Sequence, residues 1–361
     1  MKKLVILYSF SKRGFQAEYW AREIAGASSE LCSYIPFNYG AYISEAACAR
    51  AQLVDNLYYD NDAGLRRLYA DLKTAVAQYA ADVLLADNNF PYHPDFLATL
   101  PVFKVLRTTD GPLAAYDRDF AYLHAYDLVL YHSPAYSRAL DMEQKLACCG
   151  AKRTAFWPLA AFDAHCLPHL SEEQVFAGAR DIDIVFVGAM WTGKVPFFAA
   201  VKRAFGSRFV IYGLASWKKM LWLSLSSRRP CWIHRLPDPD YPLLYRRCKI
   251  GINTHNRGKY TVGNYRLFDL PANGTLQISD GGEYLPRFYR PGEEIVSYET
   301  PGELVQKIRY YLENEQERLR IARNGYRRAM AEHRIGMRLR QAAALIRQAI
   351  GHGGEKRASA D

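Results

Sequence analysis

Arg266 and Asp269 stand three residues apart in NYRLFDLPANG (Asn264 to Gly274), a helical pattern that follows a short apolar strand, Ile250 to Asn253, and a polar, glycine-containing loop. Residues i and i+3 share a helix face. A cation and a carboxylate therefore meet beside the free backbone N–H groups of a helix N-terminus, a natural place for an anion. Gly274 closes the helix, and the next strand, Thr275 to Ser279, ends in Asp280-Gly281-Gly282. The unit suits a ligand with both phosphate and sugar hydroxyls. A planar guanidinium can grip a diphosphate through two hydrogen bonds, and a carboxylate can accept from a ribose diol. The plainer alternative is a surface ion pair. Asn253, Asn264 and Gly281 complete this candidate ligand set.

A second set lies on GAMWTGK (Gly188 to Lys194), directly after the apolar strand Ile182 to Val187. It is neither a Walker A loop nor a G-x-G-x-x-G fingerprint. Gly188 would let backbone approach a phosphate and Lys194 would add charge; the alternative is a plain tight turn. In the first half, Asp110 ends a strand ahead of Gly111-Pro112 and is a candidate general base for a hydroxyl, or a turn former. His93 and His132, also at strand ends, are rival bases, and each reads equally as a buried, satisfied histidine. Gly14, beside Lys12 and Arg13 in the first loop, leaves room for a phosphate or marks a solvated edge. The seven cysteines are scattered without a CxxC pair, and no acidic triplet stands out, so no metal is expected.

Short strands alternating with helical patterns must position these residues. The apolar runs Leu4 to Tyr8, Asp82 to Ala86, Val102 to Leu106, Leu128 to Tyr131 and Ala155 to Pro158 form one series. Pro158 to Pro168 breaks the rhythm and reads as a linker. A second series begins at Ile182, continues at Phe209 to Tyr212 and leads into the segment above. Such alternation implies α/β folding with parallel sheets, and ligands then sit beyond the carboxyl ends of the strands.

At 361 residues the chain is longer than one core usually supports, so two domains are expected. The net charge of +10 admits anionic partners. It lacks the aromatic–basic interleaving of single-strand binders, so nucleic acid is not expected. The run Leu4 to Tyr8 is too short for a signal peptide, no segment reaches transmembrane length, and the cysteine usage fits a reducing cytoplasm. The stretch Trp217 to Trp232, with Lys218, Lys219, Arg228 and Arg229, reads as a helix covering the second half with its cations in water. Its alternative is peripheral contact with the inner membrane face.

Five segments in order carry a resemblance: IDIVFVGA (Ile182 to Ala189), YPLLYRRCKIGIN (Tyr241 to Asn253), NYRLFDLPANG, GEEIVSY (Gly292 to Tyr298) and the helical run Glu303 to His333. With two Rossmann-like halves and a late helix, the chain resembles the GT-B glycosyltransferases, and the CgeB-like (spore-maturation-protein type) family in particular. The likeness covers roughly residues 180 to 350; over the first half it rests on strand order, Asp110 and FWPLA. It implies an acceptor-binding domain over 1–160 and a donor-binding domain over 161–336. A helix at 337–350 would cross back to the first domain, and 351–361 would be a disordered tail. It also implies a nucleotide-diphosphate sugar as co-substrate, no further cofactor, and transfer to an acceptor hydroxyl in the cleft between the domains. Arg266 and Lys194 would then meet the diphosphate, Asp269 the ribose, and Asp110 the acceptor. The family usually carries Glu where this chain has Asp269, and retaining relatives often carry a second Glu where it has Thr261, so a retaining mechanism is not supported. The rival readings are a nucleotide-sugar epimerase of the same fold and a non-catalytic nucleotide-sugar-binding protein of surface assembly.

Overall fold

The computed structural model describes residues 2–12, 15–44, 47, 51, 53–108, 119–136, 140–190, 192–213, 216–235, 241–255 and 263–358. The chain divides into two compact units, Met1–Pro158 with Ile335–Asp361, and Leu159–Arg334.

The first unit carries β1 (Leu4–Phe10), β2 (Cys32–Asn38), β3 (Val83–Asp87), β4 (Phe103–Thr108), β5 (Leu128–Tyr131) and β6 (Thr154–Phe156). They form one parallel sheet in the order β2-β1-β3-β4-β5-β6. Every residue of β3 is buried, as a parallel strand covered on both faces requires. Helix Ala63–Gln78 shows how one face is covered. Asp62 caps it by accepting from the Leu65 N–H at 2.9 Å, and Leu65, Leu68, Leu72 and Val76 form its buried stripe. Each such side chain contributes roughly 1.5–3 kcal/mol on burial.

Strand β2 is absent from the sequence reading. CSYIPFN has no continuous apolar run and contains Pro36, which an edge strand tolerates because one side of its backbone has no ladder partner. Helix Ile335–Ala358 completes this unit. Tyr34 Oη donates to Leu339 O at 2.5 Å, Trp157 Nε1 to Arg338 O at 2.6 Å, and Arg347 Nη2 to Leu31 O at 2.6 Å. The helix continues through residues 351–358, where the sequence reads as a disordered tail. Once nucleated, a helix gains one hydrogen bond for each residue added, against a cost of about 1 kcal/mol at each glycine.

The second unit carries β7 (Ile182–Val187), β8 (Phe209–Tyr212), β9 (Ile233–His234), β10 (Cys248–Asn253), β11 (Leu276–Ser279) and β12 (Val296–Ser297). This sheet is parallel too, in the order β12-β11-β10-β7-β8-β9. The chain runs outward from β7 in one direction and from β10 in the other, so the topological switch lies between those two strands. The stretch read as a linker belongs largely to this unit. Ala161 N donates to His333 O at 2.8 Å, and Arg334 pairs with Asp163 at the start of helix Asp163–Cys166. Helix Trp217–Ser227 packs on helix Val195–Phe205 through Leu223 but does not bury its aromatic residues: Trp217 and Trp222 face outward. Among the described residues no helix is long and apolar enough to cross a membrane.

Candidate functional site

The carboxyl ends of β7 and β10 are joined by one side chain. Arg266, at the start of helix Arg266–Ala272, donates from Nη1 to Val187 O at 2.7 Å, from Nη2 to Thr254 O at 2.9 Å and from Nε to Asn253 Oδ1 at 3.1 Å. Its guanidinium carbon lies 4.7 Å from the Phe186 ring centre. Gly188 makes this possible. Its φ is +144°, and a Cβ there would stand 2.5 Å from Arg266 Nη1. The sequence allows Gly188 either a phosphate approach or a tight turn; in the structure its missing side chain admits the guanidinium.

Asn253 and Asn264 serve the same arginine. Asn253 is fully buried; its Oδ1 also accepts from Asn264 Nδ2 at 3.0 Å, while its Nδ2 donates to Ser279 Oγ at 3.2 Å. Asn264 Oδ1 accepts the Leu267 N–H at 3.1 Å and steadies the helix opening. Both amides thus orient Arg266 and the strand ends. Among the described residues, Arg266's three partners leave two of a guanidinium's five N–H groups for a ligand.

Lys194 approaches the same ring, its Nζ 5.1 Å from the Phe186 ring centre and donating to Ala189 O at 3.3 Å. It is 4 % exposed. Desolvation, reinforced by the Arg266 charge and opposed by Asp280, lowers its pKa to about 7. Two cations therefore crowd one ring at the switch point. A bound anion would relieve their repulsion and the loss of hydration.

His255 was not singled out in the sequence. It is buried at the end of β10, where its Nδ1 and backbone N–H donate to Asp280 Oδ1 at 2.5 Å and 3.0 Å. Thr254 Oγ1 donates to Asp280 Oδ2 at 3.1 Å, and His255 Nε2 accepts from Gly263 N–H at 3.2 Å. The imidazole thus carries its proton on Nδ1 and links the end of β11 to the chain entering the Arg266 helix. The sequence signal was Asp280 before two glycines. Gly281 adopts φ +129° as the chain turns into the short helix Gly282–Arg287. Thr261 lies outside the described residues.

Asp269 is placed otherwise than helical spacing alone suggests. Helical spacing put it beside Arg266 and ready for a ribose. Its side chain is instead 0 % exposed, with His165 Nδ1 at 3.5 Å from Oδ1. Asn273 Nδ2 donates both to His165 O at 2.8 Å and to Asp269 O at 2.9 Å, tying helix Asp163–Cys166 over it. Residues from the supposed linker thus seal the face that periodicity left open.

In the first unit His93 is a cap. Its Nδ1 accepts the Asp95 N–H at 3.2 Å, its Nε2 lies 3.2 Å from Asp55 Oδ1, and its ring stacks on Tyr58 at 3.8 Å. Both nitrogens and one face are engaged within this unit. His132 follows β5, buried, with Nδ1 at 2.9 Å from Thr108 O. Desolvation, aided by the Arg107 charge, pulls its pKa down to about 4, so it is neutral near pH 7 and a weak base. Arg107 is itself buried, its guanidinium 4.6 Å from the Trp157 ring centre and 3.4 Å from Asp87. Asp110, Gly14 and Arg13 lie outside the described residues. Among those described, no group of three or more His, Cys, Asp or Glu is placed to hold a metal ion.

Residues 194–344 match the family model described as glycosyl transferase-like. No curated protein sequence matches the chain. Solved structures similar to it include sucrose-phosphate synthase from Thermosynechococcus elongatus (TM-score 0.61, 14% identity, 97% of this chain and 100% of that one). Anabaena Alr3699/HepE in complex with UDP-glucose is similar at TM-score 0.61 and 14% identity, over 96% of this chain and 100% of that one. A putative UDP-N-acetylglucosamine 2-epimerase from Listeria monocytogenes is similar at TM-score 0.58 and 11% identity, over 97% and 98%. Two six-stranded parallel α/β units that match such structures along nearly their whole length give this chain the GT-B fold of the glycosyltransferases.

Proposed function

We propose that the protein is a glycosyltransferase that takes a sugar from a nucleoside diphosphate sugar and passes it to an acceptor hydroxyl. The observation that carries this is the pair of cations on Phe186 at the β7–β10 switch point, Lys194 and Arg266. Ligands of open parallel sheets gather at such points. A diphosphate there would accept from Lys194 and from the two remaining Arg266 N–H groups. As the glycosidic bond breaks, the leaving diphosphate gains negative charge, and these two held cations, Lys194 buried and Arg266 half-buried, stabilise it with little reorganisation. This reading assigns that charge to the protein rather than to a metal ion. The UDP-glucose complex of HepE supports UDP as the first nucleotide to try. The subclass resemblance to CgeB-like enzymes and transfer of a hexose belong to the same proposal.

Calorimetric titration of the full chain with UDP-glucose, for the wild type and Lys194→Met, tests it. Binding that weakens at least tenfold in the variant is expected; wild-type protein that binds no nucleoside diphosphate or its sugar ester would overturn it. An epimerase is the second reading, favoured by the likeness to the Listeria structure. It would invert the sugar's stereocentre without any acceptor, whereas a transferase releases nucleotide in an acceptor-dependent way.

A further inference from the structure

Helix Trp217–Ser227 has its polarity reversed for a surface helix of a soluble domain. Trp217, Leu221 and Leu225 recur every four residues on one stripe, beside Lys218 and Trp222, and all five are exposed. The exposures are 65 % for Trp217, 51 % for Leu221, 42 % for Trp222 and 69 % for Leu225. The opposite stripe, which meets the protein, carries Leu223 and Ser227. Trp232, just before β9, is 74 % exposed. Five large apolar side chains in one short stretch of sequence are therefore left in water. Isolated exposed hydrophobic residues need no explanation, but a cluster of this kind marks an interaction surface.

Its charge says which kind. Residues 184–237 contain no Asp or Glu and nine cations: Lys194, Lys202, Arg203, Arg208, Lys218, Lys219, Arg228, Arg229 and Arg235. Lys194 is buried and Arg208 pairs with Asp183, but Arg203, Lys218, Arg228, Arg229 and Arg235 are exposed. Arg203 donates to Ser226 O and Arg229 Nε to Arg203 O at 2.9 Å, so the ends of the helix and the neighbouring helix hold cations at its rim. Indole rings favour the boundary between headgroups and acyl chains. Each Lys or Arg near an anionic surface strengthens adsorption roughly fivefold.

We propose that this face docks on a lipid bilayer bearing anionic headgroups, with Trp217, Trp222 and Trp232 entering the interfacial zone and the rim cations contacting phosphate. A second copy of the chain fits less well, because the same cations would face their own kind across a two-fold interface. The inference stands independently of the sugar-donor reading, since none of the exposed Trp, Leu, Lys and Arg residues of this face belongs to the Lys194–Arg266 site.

The test is co-sedimentation of the full chain with vesicles of phosphatidylcholine, either alone or with about one-third phosphatidylglycerol. The wild type is expected to bind the mixed vesicles at least tenfold more strongly, with binding that falls as salt rises. Brominated acyl chains should quench its tryptophan fluorescence. Two variants, Trp217→Ser/Trp222→Ser/Trp232→Ser and Lys218→Glu/Arg228→Glu, should each lose at least tenfold in partitioning while keeping wild-type circular dichroism. Wild-type protein that stays in the supernatant with mixed vesicles at low salt would refute the proposal, as would variants that partition like the wild type. It would also fall if sedimentation velocity showed a dimer that persists with vesicles and dissociates in the triple-serine variant.

Discussion

Lys194 offers the sharpest test, because its burial ties sugar-donor binding to pH. In the free protein its pKa is lowered from 10.5 to about 7, first by desolvation and then by Arg266. A diphosphate seated against the ammonium favours the charged form, so binding raises the pKa back toward its ordinary range. Affinity must then fall as pH rises above the free-state value. Only about a tenth of the lysine is charged at about pH 8 and about a hundredth at about pH 9, so UDP-glucose should bind about tenfold and about a hundredfold more weakly than at about pH 6. The sugar ester is the right probe, because each of its phosphates carries one ester and one anhydride bond and neither titrates in this range. UDP itself would add its own terminal ionisation. Calorimetry at about pH 8 in buffers of different ionisation enthalpy should record uptake of about 0.9 proton per ligand bound. Lys194→Met should abolish the uptake and flatten the profile. The same variant should be more stable than the wild type near pH 7. A lysine depressed in the folded state holds fewer protons there than in the unfolded chain, so wild-type stability rises with pH between about 7 and 10.5, and the charged form costs a few kcal/mol below that window. An affinity that is flat or rising from pH 6 to 9, or proton uptake near zero, would refute the contact between Lys194 and the ligand.

Gly188→Ala forces a Cβ to within 2.5 Å of Arg266 Nη1 at φ +144°, so denaturant melts should show a loss of about 2–4 kcal/mol with an unchanged m-value. Asp269→Asn should leave the UDP-glucose Kd within about threefold of wild type while lowering Tm, because the carboxylate meets His165 rather than solvent; a loss of tenfold or more in affinity would restore the ribose contact. His132 enters the folded state neutral, with its pKa lowered to about 4. Stability should therefore be complete above its unfolded value near 6.5 and fall by on the order of 3 kcal/mol as pH drops through 4, a loss that His132→Gln should largely remove. Asp280→Ala removes the acceptor of the His255 Nδ1–H and leaves a buried imidazole unsatisfied; a cost of about 2–3 kcal/mol is expected, readable by thermal shift.

The amino-acid sequence by itself determined the architecture and the edge of the sheet to inspect. Parallel strands covered on both faces need unbroken apolar runs such as IDIVFV and VLLAD, and these stand out from the helical patterns between them. Where that signal weakens, at CSYIPFN with its edge proline and at the two-residue β9, the strands passed unseen. The same periodicity placed Arg266, Lys194, Asn253 and Gly188 at the carboxyl ends of strands. Tertiary structure alone decided how each is used. Arg266 reaches a carbonyl 79 positions away, Asp269 is sealed by a histidine more than a hundred residues earlier, and His255 finds Asp280 through the pairing of β10 with β11. Spacing along a helix tells which residues share a face, but a charge on that face stays available to a ligand only if no distant segment consumes its hydrogen bonds first. The reversed helix at Trp217–Ser227 makes the same point from outside: its composition suggested a cover, and only packing showed that the tryptophans face away from the protein.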